Sequence, residues 1–312
     1  MQNNVPLLFF AWEVRLADSQ NVFGSVDTTG KKLSIIKLYL QMYQKSVGAQ
    51  SWSRTHYVDA FAGTGEIKTS KKKDKEQNEL FEFDEESRAV IQGSTKIALN
   101  VEPHFDSYTF IELKKKKIEE LRETLVGHQN FHKIKFLQGD ANSEVKAFCD
   151  TLGSKDRAVV FLDPFGSQVE WDTVATIAAT EKIDLWYLFP SGGGIYRQIS
   201  KDGTVHFTHE DAITRIVGTQ DWKTEFIKRH ESRDLFDDFN ITLEKTVDPK
   251  SAAEFMKERM RSVFKGKVGD FSIPLGKHAY PSFHLLFASG NPSRSATNLA
   301  NRISMAAVEA VK

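Results

Sequence analysis

Residues 57–65 read Tyr-Val-Asp-Ala-Phe-Ala-Gly-Thr-Gly, an apolar run that meets an acid and breaks into a glycine-rich turn. Residues 158–166 follow the same pattern: Ala-Val-Val-Phe-Leu, then Asp-Pro-Phe-Gly. Near-continuous apolar runs are how strands covered on both faces read, and such strands belong to parallel sheets. Three more runs lie at 107–112, 133–137 and 183–189, followed by Glu112, by Gly139-Asp140 and by Pro190-Ser191-Gly192. Helical spacing fills the intervals at 114–125, 143–152 and 169–179. It also marks 31–46, where Leu33, Ile36, Leu40 and Tyr43 recur. Alternating strand and helix predicts an α/β fold with a doubly wound sheet. Two later strands, at 240–246 and 282–288, bring the expectation to seven, mostly parallel. Helices at 252–264 and 294–311 complete it.

The strands divide the chain. Residues 1–27 read as a lead segment, with the apolar run 5–12 packing on the main domain. Residues 28–194 and 237–312 form that domain. Residues 195–236 read as a helical insertion after the fifth strand and a candidate substrate-recognition element. A charged insert at 68–88 separates the first two strands and reads as a long loop.

Composition narrows the class. The chain has 312 residues, 40% hydrophobic and 27% charged, which excludes a largely disordered or collagen-like protein. Its 42 Lys+Arg balance 42 Asp+Glu, so no global polyanion-binding charge exists, although local basic patches can. A single cysteine, Cys149, excludes an intramolecular disulfide framework, an iron–sulfur cluster and a multi-cysteine zinc site. It reads as a buried helix residue. His128 and His132 are four apart but have no acidic or cysteine partner in metal spacing, so no metal is expected. The run 5–12 is far shorter than the roughly 20 residues of a spanning helix. No cationic residue precedes it. A cytoplasmic protein without a membrane partner is expected.

In a doubly wound sheet, ligands bind beyond the carboxyl ends of the strands, where strand order reverses. The chemistry-bearing residues fall at those ends. Asp59, Phe61, Ala62, Gly63 and Gly65 form a turn that lets backbone approach a ligand. It lacks the third glycine of the dinucleotide fingerprint and the Gly-Lys-Ser/Thr of a P-loop. Glu112, followed by Leu113, ends the second strand, where a carboxylate accepts both hydroxyls of a ribose. Asp140 and Ala141 follow the third; Asp140 can accept from an adenine amine or cap the next helix. That order suits S-adenosylmethionine better than a dinucleotide, because no second phosphate loop is visible. At the fourth strand end, Asp163 and the Pro164 carbonyl offer two acceptors to an exocyclic amine. Its lone pair is then turned toward a methyl donor. Phe165 offers a face for stacking a base, and Gly166 completes the motif. A strand-terminating Asp-Pro turn is the simpler alternative.

Basic residues cluster near the same edge: Lys71, Lys72 and Lys73 in the insert, and Lys114 and Lys115 after Glu112. They read either as solvated surface or as phosphate contacts. Lys115 and Lys116 can also pair with Glu119 and Glu120. Tyr196 and Arg197 open an aromatic and cationic stretch, suited to an unstacked base or to a small accessory core.

Together these residues resemble the class I S-adenosylmethionine-dependent methyltransferases. Asp163-Pro164-Phe165-Gly166 resembles the Asp/Asn-Pro-Pro-aromatic motif of nucleic-acid amino-methyltransferases, and more closely the Asp-Pro-Phe-Gly of tRNA guanine-N2-dimethyltransferases. Over residues 28–310 the chain is most similar to the three-Cys-motif partner (TcmP) family. The similarity is carried by Lys32-Leu33 with Tyr39-Leu40, by 57–65, by Gly93-Ser94, by 161–166, and by His284-Leu285-Leu286-Phe287-Ala288. The resemblance implies a Rossmann-like methyltransferase fold and a partner protein bearing a three-cysteine motif. Thr95 departs from the family's proline, and the insert is longer than the family's. The expectation is an N-methyltransferase acting on a nucleobase amine in RNA or DNA. The alternatives are a non-catalytic donor- or nucleotide-binding subunit and a small-molecule amine methyltransferase. Oligomeric state is not legible.

Overall fold

The computed structural model describes residues 28–64, 93–233, 239–276 and 280–311. The lead segment, Gly65, and the insert with Lys71, Lys72 and Lys73 lie outside these residues. Five strands run parallel in the core: β1 (Arg54–Asp59), β2 (Ser107–Glu112), β3 (Ile134–Gln138), β4 (Asp156–Leu162) and β5 (Ile183–Phe189). Two further strands, β6 (Ile227–Arg233) and β7 (Phe239–Lys245), pair only with each other, antiparallel. The main sheet is extended by β8 (Lys267–Val268), β9 (Ile273–Leu275) and β10 (Phe283–Ser289). Its order is β3-β2-β1-β4-β5-β10-β8, with β9 also on β10 and β10 antiparallel to β5.

The doubly wound, mostly parallel sheet read from the sequence is therefore present, with one rearrangement. The strand expected at 240–246 exists as β7 but leaves the sheet to pair with β6. The short β8 takes the outer place and β9 adds an eighth strand. Exposure explains the departure: Ile241 and Leu243 are 48% and 39% exposed, so β7 has no face covered on the scale of a core strand. The stretch 195–236, expected to be helical, contains α6 (Phe207–Val217), α7 (Trp222–Phe226) and also β6. Its Ile213, Ile216, Trp222 and Phe226 enter the same core cluster as the main sheet.

Helices cover both faces. On one lie α1 (Thr28–Tyr43), α2 (93–99), α3 (Lys115–Leu125) and α9 (Arg294–Glu309), meeting the sheet through Ile35, Tyr39, Leu121 and Ile303. On the other lie α4 (Ala141–Asp150), α5 (Trp171–Ala179) and α8 (Pro249–Arg261), through Val145, Ile177 and Met256. Asp248 and Ser251 close a capping box at the start of α8, with proline at its first position. Tyr39 donates to Asp184 Oδ2 at 2.6 Å, fixing α1 against the start of β5. Among the described residues, no helix is long and apolar enough to cross a membrane.

Candidate active site

The chain direction reverses its march across the sheet between β1 and β4, so their carboxyl ends flank the switch point. Asp59 is registered against Phe161, and side chains alternate along a strand. Tyr57, Asp59, Phe161 and Asp163 therefore point to one face, the face of α1. All four are almost fully buried.

Two carboxylates so close need a countercharge. Lys32 of α1 supplies it: its Nζ lies 2.7 Å from Asp163 Oδ2, with the two side chains 3% and 5% exposed. The same ammonium sits 5.4 Å from the Phe161 ring centroid. Asp59 is held by other donors: Ser94 Oγ–H at 2.7 Å to Oδ2 and the Phe61 amide at 3.2 Å to Oδ1. Burial pushes the Asp59 carboxyl up to about 7, although the Ser94 hydrogen bond opposes this; the nearby Asp163 charge raises it further. Burial likewise pulls Lys32 below the ordinary lysine range, against the attraction of Asp163. Desolvation also carries the Tyr57 phenol well above its usual value, aided by Asp59 and Asp163.

Gly93 explains how Ser94 reaches this cluster. A Cβ on Gly93 would stand 2.6 Å from Leu33 Cδ1, so only glycine lets α2 approach α1 this closely without displacing Leu33. The turn after β1 is stitched from both sides: Ala60 N–H donates to Phe161 O at 3.1 Å and Ala62 N–H to Ile111 O at 2.9 Å. Gly63 follows with φ 65°, in the left-handed region that favours glycine.

The second and third strand ends lie beside this turn. Glu112 is 7% exposed, and its Oε1 accepts from the Lys114 amide at 2.9 Å. Gly139 N–H donates to Glu112 O at 3.2 Å, tying the ends of β2 and β3 together. Leu113 is 60% exposed. Asp140 caps α4, accepting from Ser143 N and Ser143 Oγ through Oδ1 at 3.0 and 3.3 Å. The capping alternative for Asp140 is thus realised, and Ala141 is the first residue of the helix it caps.

In the Asp-Pro-Phe-Gly loop Pro164 is buried and Phe165 half-buried. The Phe165 amide donates to Gln168 Oε1 at 2.8 Å, and Gly166 turns the chain at φ 81°. Lys117, from the first turn of α3, places Nζ 5.2 Å from the Phe165 ring centroid. Lys114, Lys115 and Lys116 are exposed; Lys115 pairs with Glu119 at 3.8 Å, the i,i+4 pairing read from the sequence. Tyr196 is stacked on Tyr280 at 5.1 Å, with Lys245 Nζ 3.4 Å from its ring centroid. Its ring is thus engaged in packing, whereas Arg197 is exposed. Cys149 is buried and its thiol is raised to about 12, chiefly by desolvation, so it is no nucleophile. Among the described residues, no group of three or more His, Cys, Asp or Glu side chains is gathered for a metal ion.

Asp59, Phe61, Ala62, Gly63, Glu112, Asp140 and Asp163 thus lie along one edge of the sheet. Lys32, Ser94 and Lys117 were not recognised as its partners from the sequence. One signal was available for Lys32: it occupies the apolar stripe of α1 with Ile36, Tyr39 and Tyr43, where a charge needs a buried partner. Ser94 was singled out only through the Gly93-Ser94 resemblance, and Lys117 only as one of the lysines 114–117 on the active edge; neither reading named its partner.

No family model and no curated protein sequence matches the chain. Solved structures are similar in outline. One is a Legionella pneumophila protein, 14% identical, covering 89% of this chain and 92% of its own, at TM-score 0.44. Another is an O-methyltransferase of Streptomyces achromogenes solved with S-adenosylmethionine, 13% identical, covering 73% and 83%, at TM-score 0.37. A third is an S-adenosylmethionine-dependent methyltransferase of Clostridium acetobutylicum, 8% identical, covering 81% and 91%, at TM-score 0.35.

Proposed function

We propose that the chain is an S-adenosylmethionine-dependent N-methyltransferase whose acceptor is an exocyclic amine of a nucleobase in RNA or DNA. One observation carries this reading: acids at or just beyond four successive parallel-strand ends, Asp59, Glu112, Asp140 and Asp163, line one sheet edge around the switch point.

S-adenosylmethionine fits this edge chemically. Asp59, Phe61, Ala62, Gly63 and Gly65 would hold its methionine part, the Glu112 carboxylate, with Leu113 beside it, the ribose hydroxyls, and Asp140 with Ala141 the adenine. The observed bonds to Glu112 and Asp140 engage Oε1 and Oδ1, so each retains a second oxygen for such a contact. When bound, the donor supplies a methyl group on a sulfonium. The chain's own task is positioning. Asp163 and the Pro164 carbonyl accept the two N–H bonds of the acceptor amine, and Phe165 stacks on its ring. The nitrogen lone pair forms the new N–C bond while the C–S pair leaves with sulfur. The surplus proton then departs to solvent, so no strong base is required.

Arg197, the exposed lysines 114 and 115, and Phe207 at 68% exposure support a polynucleotide acceptor, with the stretch 195–236 as its recognition element and Gly166, Tyr196 and Lys71–73 as further candidate contacts. Membership of the three-Cys-motif partner family, and with it a cysteine-motif partner, belongs to this proposal. A second reading has a specific observation in its favour: Asp163 is buried and already paired with Lys32. That suits a non-catalytic donor-binding subunit.

Calorimetry with S-adenosylmethionine, then tritiated-methyl transfer onto total RNA and total DNA, separates the two. Transfer to either pool that disappears in Asp163→Ala, with donor binding retained, supports the enzyme. Donor binding without transfer supports the subunit. Undiminished turnover by Asp163→Ala refutes the role given to that carboxylate.

A further inference from the structure

The Lys32–Asp163 pair bears directly on the proposed reaction and rests on that reading. An acceptor amine donates best to an ionised carboxylate with a fixed free oxygen. Asp163 meets both requirements through Lys32. One oxygen, Oδ2, is occupied by the ammonium at 2.7 Å, which leaves Oδ1. The ammonium also supplies the opposite charge that a carboxylate buried to 5% exposure needs, beside a second buried acid, Asp59.

We propose that Lys32 is a positioning residue for methyl transfer, clamping Asp163 so that Oδ1 alone is presented, as a charged acceptor, to the amine. The titratable groups facing Asp163 among the described residues are Lys32 from α1 and Asp59 and Tyr57 from β1. Two of the three, Asp59 and Tyr57, disfavour a negative charge on Asp163 when they are themselves ionised; only Lys32 favours it. Without the ammonium, a negative charge on Asp163 has no partner beside it, and its two oxygens are no longer distinguished.

The alternative is that Lys32 only ties α1 to the end of β4. The two are told apart by a double-mutant cycle in the full chain, using Lys32→Met, Lys32→Arg, Asp163→Asn and the Lys32→Met/Asp163→Asn pair. The readout is tritiated-methyl transfer to whichever nucleic-acid pool the wild type labels, with donor affinity by calorimetry. Lys32→Met is expected to lower kcat at least tenfold at pH 7 with donor affinity within threefold of wild type. Lys32→Arg should restore part of the loss. In the Asp163→Asn background, Lys32→Met should change kcat less than twofold, since there is no charge left to hold. That double variant leaves neither member of the Lys32–Asp163 pair buried without its partner, so it reports even where Lys32→Met alone fails to fold.

An unchanged kcat in Lys32→Met, with only a lower melting temperature, overturns the proposal. So does an equal loss in both backgrounds. Absence of transfer by the wild type refutes the proposed function and this inference with it; wild-type transfer with an indifferent Lys32 refutes the inference alone.

Discussion

Neutralising Asp59 should flatten the dependence of stability on pH. Asp59 is fully buried, and desolvation lifts its carboxyl from the ordinary 3.8 to about 7, against hydrogen bonds from Ser94 and the Phe61 amide. Between pH 4 and 7 the folded chain therefore keeps a proton that the unfolded chain releases. The folded state binds more protons there, so stability falls as pH rises through the window, and the loss is complete above it. At 1.36 kcal/mol per pH unit, that difference amounts to about 4 kcal/mol, as an upper value before the site relaxes. Asp59→Asn cannot ionise. Its amide still exchanges a hydrogen bond with Ser94, whose hydroxyl can rotate to accept. The attraction of Lys32 for an ionised Asp59 is already part of what sets that value, so it adds no separate offset. The slope of the difference is the diagnostic quantity. Urea unfolding of both proteins at half-unit steps from pH 4.5 to 8.5 would supply it, at fixed ionic strength. The stability of Asp59→Asn minus that of wild type should climb by about 2–4 kcal/mol across that range. A flat or descending difference would show that Asp59 is ionised at low pH and that Lys32 serves both acids equally.

Other outcomes follow from the same geometry. Glu112→Gln should weaken S-adenosylmethionine binding by roughly tenfold or more in calorimetry, since hydrogen bonds to a charged group contribute about 1.5–3 kcal/mol; unchanged affinity would remove Glu112 from the donor site. Gly218 ends α6 at φ 71°, and a Cβ there would collide with the Trp171 side chain. Gly218→Ala should therefore cost roughly 2–4 kcal/mol in denaturant unfolding, from the left-handed backbone and the overpacking together. His284 sits 2.6 Å from Ser191 Oγ, and burial draws it down to about 4. The folded state thus refuses a proton that the unfolded state accepts below about 6.5, and stability should drop as pH falls through that window. His284→Gln should remove this component of the acid limb, measured as a difference of thermal midpoints between pH 7 and 4.5.

The strands at 107–112 and 183–189 were read with the bounds the fold has, because a run buried on both faces is mostly apolar and needs no partner to be recognised. Glu112, the acid that ends the first of them, was equally legible, since a charge that stops such a run marks the end of the strand. β7 shows the limit of that reading. Its alternating residues identify a strand, yet whether it joins the main sheet or pairs with β6 depends on which surfaces are left to cover it. A strand's own residues do not encode its neighbour.

The sequence by itself determined the parallel doubly wound architecture, the edge on which its acids lie, and the turn glycines, because each follows from hydrophobic period and backbone sterics within a few residues. Only tertiary structure decided how those acids are charged. Lys32 meets Asp163 across 131 positions of chain, and Ser94 meets Asp59 across 35. The protonation of a buried carboxylate is set by desolvation and by the donors folded against it, and both exist only once α1 and α2 have closed over the sheet.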